Sequence, residues 1–82
     1  MTEPKKAIVY VRLKDGVLDP QGVTIGKALK QMGYSDFVSV RTGRFFELEI
    51  NGSGTDIKRK VEEVSAKLLS NPVIEKFTVE GI

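Results

Sequence analysis

From Lys6 to Leu13, apolar and polar positions alternate. Ala7, Val9, Val11 and Leu13 fall on one side and Ile8, Tyr10 and Arg12 on the other, the period of a half-buried strand. Lys14 to Gly22 is a polar connection. The period then changes: Ile25, Ala28, Leu29 and Met32 fall at i, i+3, i+4 and i+7, which predicts a helix from about Pro20 to Met32. Asp19 is its expected cap, because a carboxylate can accept from free N–H groups of the first turn and Pro20 is pre-set for the first helical position. Gly33 stands where a left-handed C-terminal cap is expected.

Phe37–Arg41 and Phe45–Ile50 read as two strands of a hairpin around Thr42-Gly43, burying Val38, Val40, Phe46, Leu48 and Ile50. Asn51-Gly52-Ser53-Gly54 is a loop. A second helix is predicted from about Asp56 to Ser70, with Ile57, Val61, Val64 and Leu68 inward and either Ser53 or Thr55 as cap. Asn71-Pro72 stops it. Val73 to Glu80 forms a last strand carrying Ile74, Phe77 and Val79. The order is βαββαβ, which implies one α+β domain over 1–82: a ferredoxin-like antiparallel sheet with both helices on one face.

The other sheet face would carry Ile8, Tyr10, Phe37 and Phe45 among charges of both signs. That is more apolar area than a solvated face normally shows, so these four residues are the candidate oligomer interface. Size points the same way. A chain of 82 residues buries only about 60% of its unfolded surface. With no Cys and no His, disulfides and common zinc sites cannot compensate, and association remains.

Charge narrows the function. Thirteen basic and eleven acidic residues give a net charge of +2, too balanced for a protein that lives on phosphate backbones or anionic membranes. No apolar run is long enough to span a membrane, and Met1 to Lys6 lacks a signal-peptide core, so a cytoplasmic location is expected. Gly43-Arg44-Phe45-Phe46 loosely echoes an RNA-recognition strand, but Glu47 and Glu49 follow on the same face and would repel phosphates. An RNA-binding or small-ligand regulatory module is the alternative reading of the fold.

Catalytic candidates are few. Asn51-Gly-Ser-Gly-Thr55 lacks the Gly-Lys-Ser/Thr ending of a phosphate loop. Glu62 and Glu63 sit among Lys58, Arg59, Lys60 and Lys67 as a solvated helix face. Asp15 and Asp19 lack further oxygen ligands for a divalent ion. Ser39, Ser65 and Ser70 have no histidine base. No catalytic, cofactor or metal residue is assigned.

Several runs nevertheless carry a specific pattern: Val9-Tyr10-Val11-Arg12-Leu13-Lys14, Gly16-Val17-Leu18-Asp19-Pro20-Gln21-Gly22, Ala28-Leu29, Met32-Gly33-Tyr34, Val40-Arg41-Thr42-Gly43-Arg44 and Leu68-Leu69-Ser70-Asn71-Pro72-Val73-Ile74-Glu75. In order and spacing they resemble the PurS small subunits of phosphoribosylformylglycinamidine synthase, over nearly the whole chain. The resemblance implies a dimeric or tetrameric accessory subunit without catalytic residues of its own. Its partners would be a glutaminase subunit, which releases ammonia, and a large synthetase subunit, which holds the nucleotide sites. The assembly would use ATP, Mg and glutamine to convert formylglycinamide ribonucleotide to formylglycinamidine ribonucleotide. Arg44 departs from the Lys common in that family, keeping the charge but offering a planar fork. The chain also ends earlier, at Ile82, than longer members do. Loops on rigid scaffolds commonly carry binding, so the candidate partner contacts are Lys14, Gly16, Asp19 and Gln21 in one connection and Asn71, Pro72 and Glu75 in the other.

Overall fold

In a computed structural model, which describes residues 4–52 and 55–82, the alternating segment is strand β1 (Lys5–Leu13). It is followed by helix α1 (Pro20–Gln31), strand β2 (Gly43–Ile50), helix α2 (Thr55–Val64) with a π-helical turn over Ser65–Leu69, and strand β3 (Glu75–Glu80). The sheet is antiparallel with β1 central, in the order β2-β1-β3. Ala7, Val9 and Val11 point from β1 into the core, where they meet Ile57 and Val61 of α2. Phe46, Leu48, Ile50, Leu69, Phe77, Val79 and Ile82 pack around them, half-buried. The α+β antiparallel class is therefore the one read from the sequence.

Both ends of α1 follow the sequence closely. The Asp19 carboxylate accepts from the Gly22 N–H at 3.0 Å, and Pro20 opens the helix. At the other end Gly33 is left-handed (φ 92°), Gly33 N donates to Lys30 O and Tyr34 N donates to Leu29 O. This pair of bonds is a Schellman closure that satisfies the last carbonyls.

Three expectations fail, each for a local reason. First, Phe37–Arg41 is not a strand of this chain's sheet. A tight hairpin at Thr42-Gly43 needs left-handed backbone, but Gly43 has none and is already the first residue of β2. The chain runs straight from 37 into β2, and Val38 is 93% exposed instead of buried. Second, α1 contributes no side chain to the core; Ile25, Ala28 and Met32 are exposed, and Gly22 is its only buried residue. Third, the inward face of the second helix is Ile57, Val61, Ser65 and Leu69, while Val64 and Leu68 face out. The π turn explains that shift, since one wider turn rotates everything after it. Ser65 Oγ donates to Val61 O at 2.7 Å and Ser70 Oγ to Ser65 O at 2.8 Å, which satisfies the hydroxyls there. The expected cap Ser53 lies outside the described residues, and Thr55 stands within α2 as its first residue. β3 starts at Glu75 instead of Val73, because Asn71 to Ile74 are used in a turn.

Candidate functional site

The two connections proposed for partner contact meet at one end of the sheet. Lys14 N donates to Ile74 O at 2.8 Å, directly joining the loop after β1 to the turn before β3. A groove of about 330 Å³ runs between them, lined among others by Asp19, Gln21, Thr42, Arg44 and Glu75. Lys14, Gly16, Gln21, Asn71 and Pro72 are exposed around it. Leu18 and Val73, 71% and 79% exposed, add apolar surface beside these polar groups.

Asp19 and Glu75 organise this end from within. Asp19 is buried, and besides capping α1 its carboxylate accepts from Thr42 N at 2.6 Å and Thr42 Oγ1 at 2.7 Å. It thus ties the start of α1 to the junction between residues 37–42 and β2. A Cβ on Gly22 would collide with the Val40 carbonyl, so this close approach requires glycine. Three donors stabilise the charged form, the Thr42 N–H most, and hold the Asp19 carboxyl below its ordinary 3.8.

The pH consequence follows in sign. The unfolded carboxyl takes up its proton near 3.8, the folded one only at lower pH. Above that value the carboxylate contributes its full stabilisation, and the contribution is lost as pH falls through the lowered folded value. Asp19→Asn, which removes acceptor capacity at the cap and latch, is expected to lower the neutral-pH Tm by roughly 5–10 °C. Thermal melts across the acid range should show the gap to wild type shrinking below pH 3.8. A gap that stays constant down the acid limb would contradict the latch.

Glu75 anchors the other connection. Its carboxylate accepts from Arg44 through both oxygens, at 2.6 and 3.1 Å, and from Asn71 N at 2.7 Å. Arg44 leads and the Asn71 N–H follows in depressing the Glu75 carboxyl below its ordinary 4.5. The Asn71 side chain accepts from Val73 N, and its carbonyl accepts from Ile74 N and Glu75 N, so Asn71-Pro72 forms a turn with its backbone polar groups engaged. Arg44 also donates to Leu69 O at 2.9 Å and lies 5.7 Å above the Phe46 ring. A lysine is a single point donor and cannot fork to Glu75 while reaching Leu69. Arg44→Lys is therefore expected to lower Tm by roughly 3–6 °C in a calorimetric scan. An unchanged Tm would leave the fork without structural weight.

Thr42 and Arg44 are residues the sequence did not single out for this site. No local pattern couples Thr42 to Asp19 across 23 positions, or Arg44 to Glu75 across 31. The four interface candidates sit elsewhere. Tyr10 and Phe45 face each other across the outer sheet surface at 6.2 Å, with Ile8 half-buried beside them. Phe37 lies apart, edge-on to Tyr34 at 6.3 Å. Among the described residues no cluster of three acidic, His or Cys side chains could hold a metal ion, and no helix is long and apolar enough to cross a membrane.

Comparison with known proteins gives one family. A family model described as "PurS: Phosphoribosylformylglycinamidine (FGAM) synthase" matches residues 6–82. The chain is 45% identical over 75 residues to the phosphoribosylformylglycinamidine synthase subunit PurS of Bacillus subtilis, covering 92% of this chain and 89% of that protein. It is similar to the solved structure of B. subtilis PurS, with a TM-score of 0.82 at 45% identity, over 92% of this chain and 94% of that one. It also matches a chain in the structure of PurLQS from Thermotoga maritima, with a TM-score of 0.87 at 26% identity, over 99% and 100% of the two chains.

Proposed function

The chain belongs to the PurS family of phosphoribosylformylglycinamidine synthase subunits, and from that premise we propose that it is the non-catalytic adaptor of the complex. In this reading it holds a glutaminase and a large synthetase subunit in register for ammonia transfer, and the ATP, Mg and glutamine chemistry belongs to the larger subunits. The observation that carries the proposal is the full-length likeness to a chain of the PurLQS assembly. Ammonia set free in water is diluted and protonated, so a fixed geometry between its source and its consumer governs the rate without any group donated by the adaptor. The groove between the 14–22 and 71–75 connections supports the role. It has a rigid hydrogen-bonded frame, exposed polar rims and uncovered apolar side chains at Leu18 and Val73.

The partner list includes the chain itself. The outer edge of β2 has no neighbouring strand, while residues 37–42 run free with Phe37 and Val38 exposed. Val23, Ile25 and Met32 of α1 are exposed as well, and Phe46, Leu48 and Ile50 of the sheet are only half-buried. The missing pieces of a four-stranded, two-helix unit are thus present but displaced from their own sheet. We read this as reciprocal exchange, in which α1 and residues 37–41 of each protomer complete the sheet of the other.

A tagged copy of the chain should retain both larger subunits on co-purification, and a Leu18→Asp, Val73→Asp variant should lose at least one of them while keeping its own mass and fold. Retention of both by that variant would remove the groove from the proposal, and capture of neither by the wild type would overturn the adaptor role.

A further inference from the structure

The outer sheet face carries a feature that the adaptor role does not use. Its residues lie in three rows set by strand register. Arg12 pairs with Gly43 on one side and Lys76 on the other, Tyr10 pairs with Phe45 and Thr78, and Ile8 pairs with Glu47 and Glu80. A cationic row, an aromatic row and an acidic row follow one another, each separated by a two-residue step of about 7 Å. A concavity of about 490 Å³ opens over the first two rows, within the range of small-molecule sites.

The cationic end is pre-arranged and short of anions. Arg41 borders the concavity, its guanidinium held by the Leu13 carbonyl at 2.9 Å. Asp15, 90% exposed, stands 3.9 Å from Arg41 and 3.8 Å from Lys76, too far for a hydrogen-bonded pair with either. That one loosely placed carboxylate faces three cations, Arg12, Arg41 and Lys76. Gly43 leaves the backbone bare beside Arg12, since a Cβ there would meet the Val11 carbonyl at 2.6 Å. Tyr10 and Phe45, with centroids 6.2 Å apart and planes tilted by 42°, offer exposed ring surface one step away.

We propose that this face binds a single nucleoside phosphate, its phosphate on Arg12, Arg41 and Lys76 and its base against Tyr10 and Phe45. Guanidinium and ammonium groups supply charge-assisted hydrogen bonds to phosphate oxygens, and aromatic rings stack on any base, so the site selects the phosphate and tolerates different bases. The acidic row limits the ligand to one unit. A second phosphate continuing along the strands would meet Glu47 and Glu80, which disfavours an extended RNA strand.

The test is titration of the isotope-labelled full chain with AMP, with adenosine, with inorganic phosphate and with a short single-stranded RNA, followed by amide chemical shifts. AMP should saturate below about 10 mM and bind about tenfold tighter than adenosine or phosphate alone. The shifts should centre on Tyr10, Arg12, Gly43, Phe45 and Lys76. Arg12→Gln and Lys76→Gln should each weaken AMP about tenfold with Tm unchanged, while Glu49→Gln at the far end leaves affinity as it was. Equal binding of AMP and phosphate, tighter binding of RNA, shifts centred elsewhere, full affinity in both cationic variants, or no saturation would each overturn the proposal.

Discussion

Replacing Phe37 and Val38 together by aspartate is expected to convert an oligomer into a poorly folded monomer. In wild type these side chains are 52% and 93% exposed within one chain, on a segment with no strand partner of its own. If they complete a neighbour's sheet, two carboxylates there would carry charge into an apolar strand position, at a cost of several kcal/mol each as an order of magnitude. Stability is inseparable from association in such a pair, so the melting transition should fall with the mass. Light scattering at micromolar concentration should give wild type a multiple of 9.1 kDa and the variant a single 9.1 kDa chain. A wild-type monomer, or a double variant with unchanged mass and Tm, would remove the exchange.

That expectation also shows where sequence reading ended. The elements and their order are legible because each is a local event. The alternation of β1, the Asp19-Pro20 start of α1, its Gly33 stop and the Asn71-Pro72 turn are decided by residues within one turn of one another. Residues 37–41 have the composition of a strand, but whether they fold back depends on Thr42. The Asp19 carboxylate holds Thr42 from 23 residues away, and no periodicity records that bond. Val64 and Leu68 were assigned inward on a uniform 3.6-residue period, and the π turn over Ser65–Leu69 breaks that period. The site divides in the same way. Lys14, Gly16, Gln21, Asn71 and Pro72 stand at the surface where the loop argument put them. Asp19 and Glu75, chosen by the same argument, turn inward to frame the groove. Arg44, noted only as a departure from a family pattern, is the fork that locks Glu75 in place.

The largest effect expected of this chain is on a reaction for which it supplies no reacting group. Reconstitution of the two larger subunits with and without it, driven once by glutamine and once by high external ammonium, tests the adaptor most directly. If the chain acts by registering an ammonia source with its consumer, omission should reduce glutamine-driven turnover by about a hundredfold or more, the scale on which misplaced reactants lose rate. Ammonium-driven turnover, which needs no transfer between subunits, should fall far less. Adding the chain back should restore the glutamine rate, and the Phe37→Asp, Val38→Asp variant should not. Equal glutamine-driven turnover with and without the chain, or an equal loss from both nitrogen sources, would contradict the account.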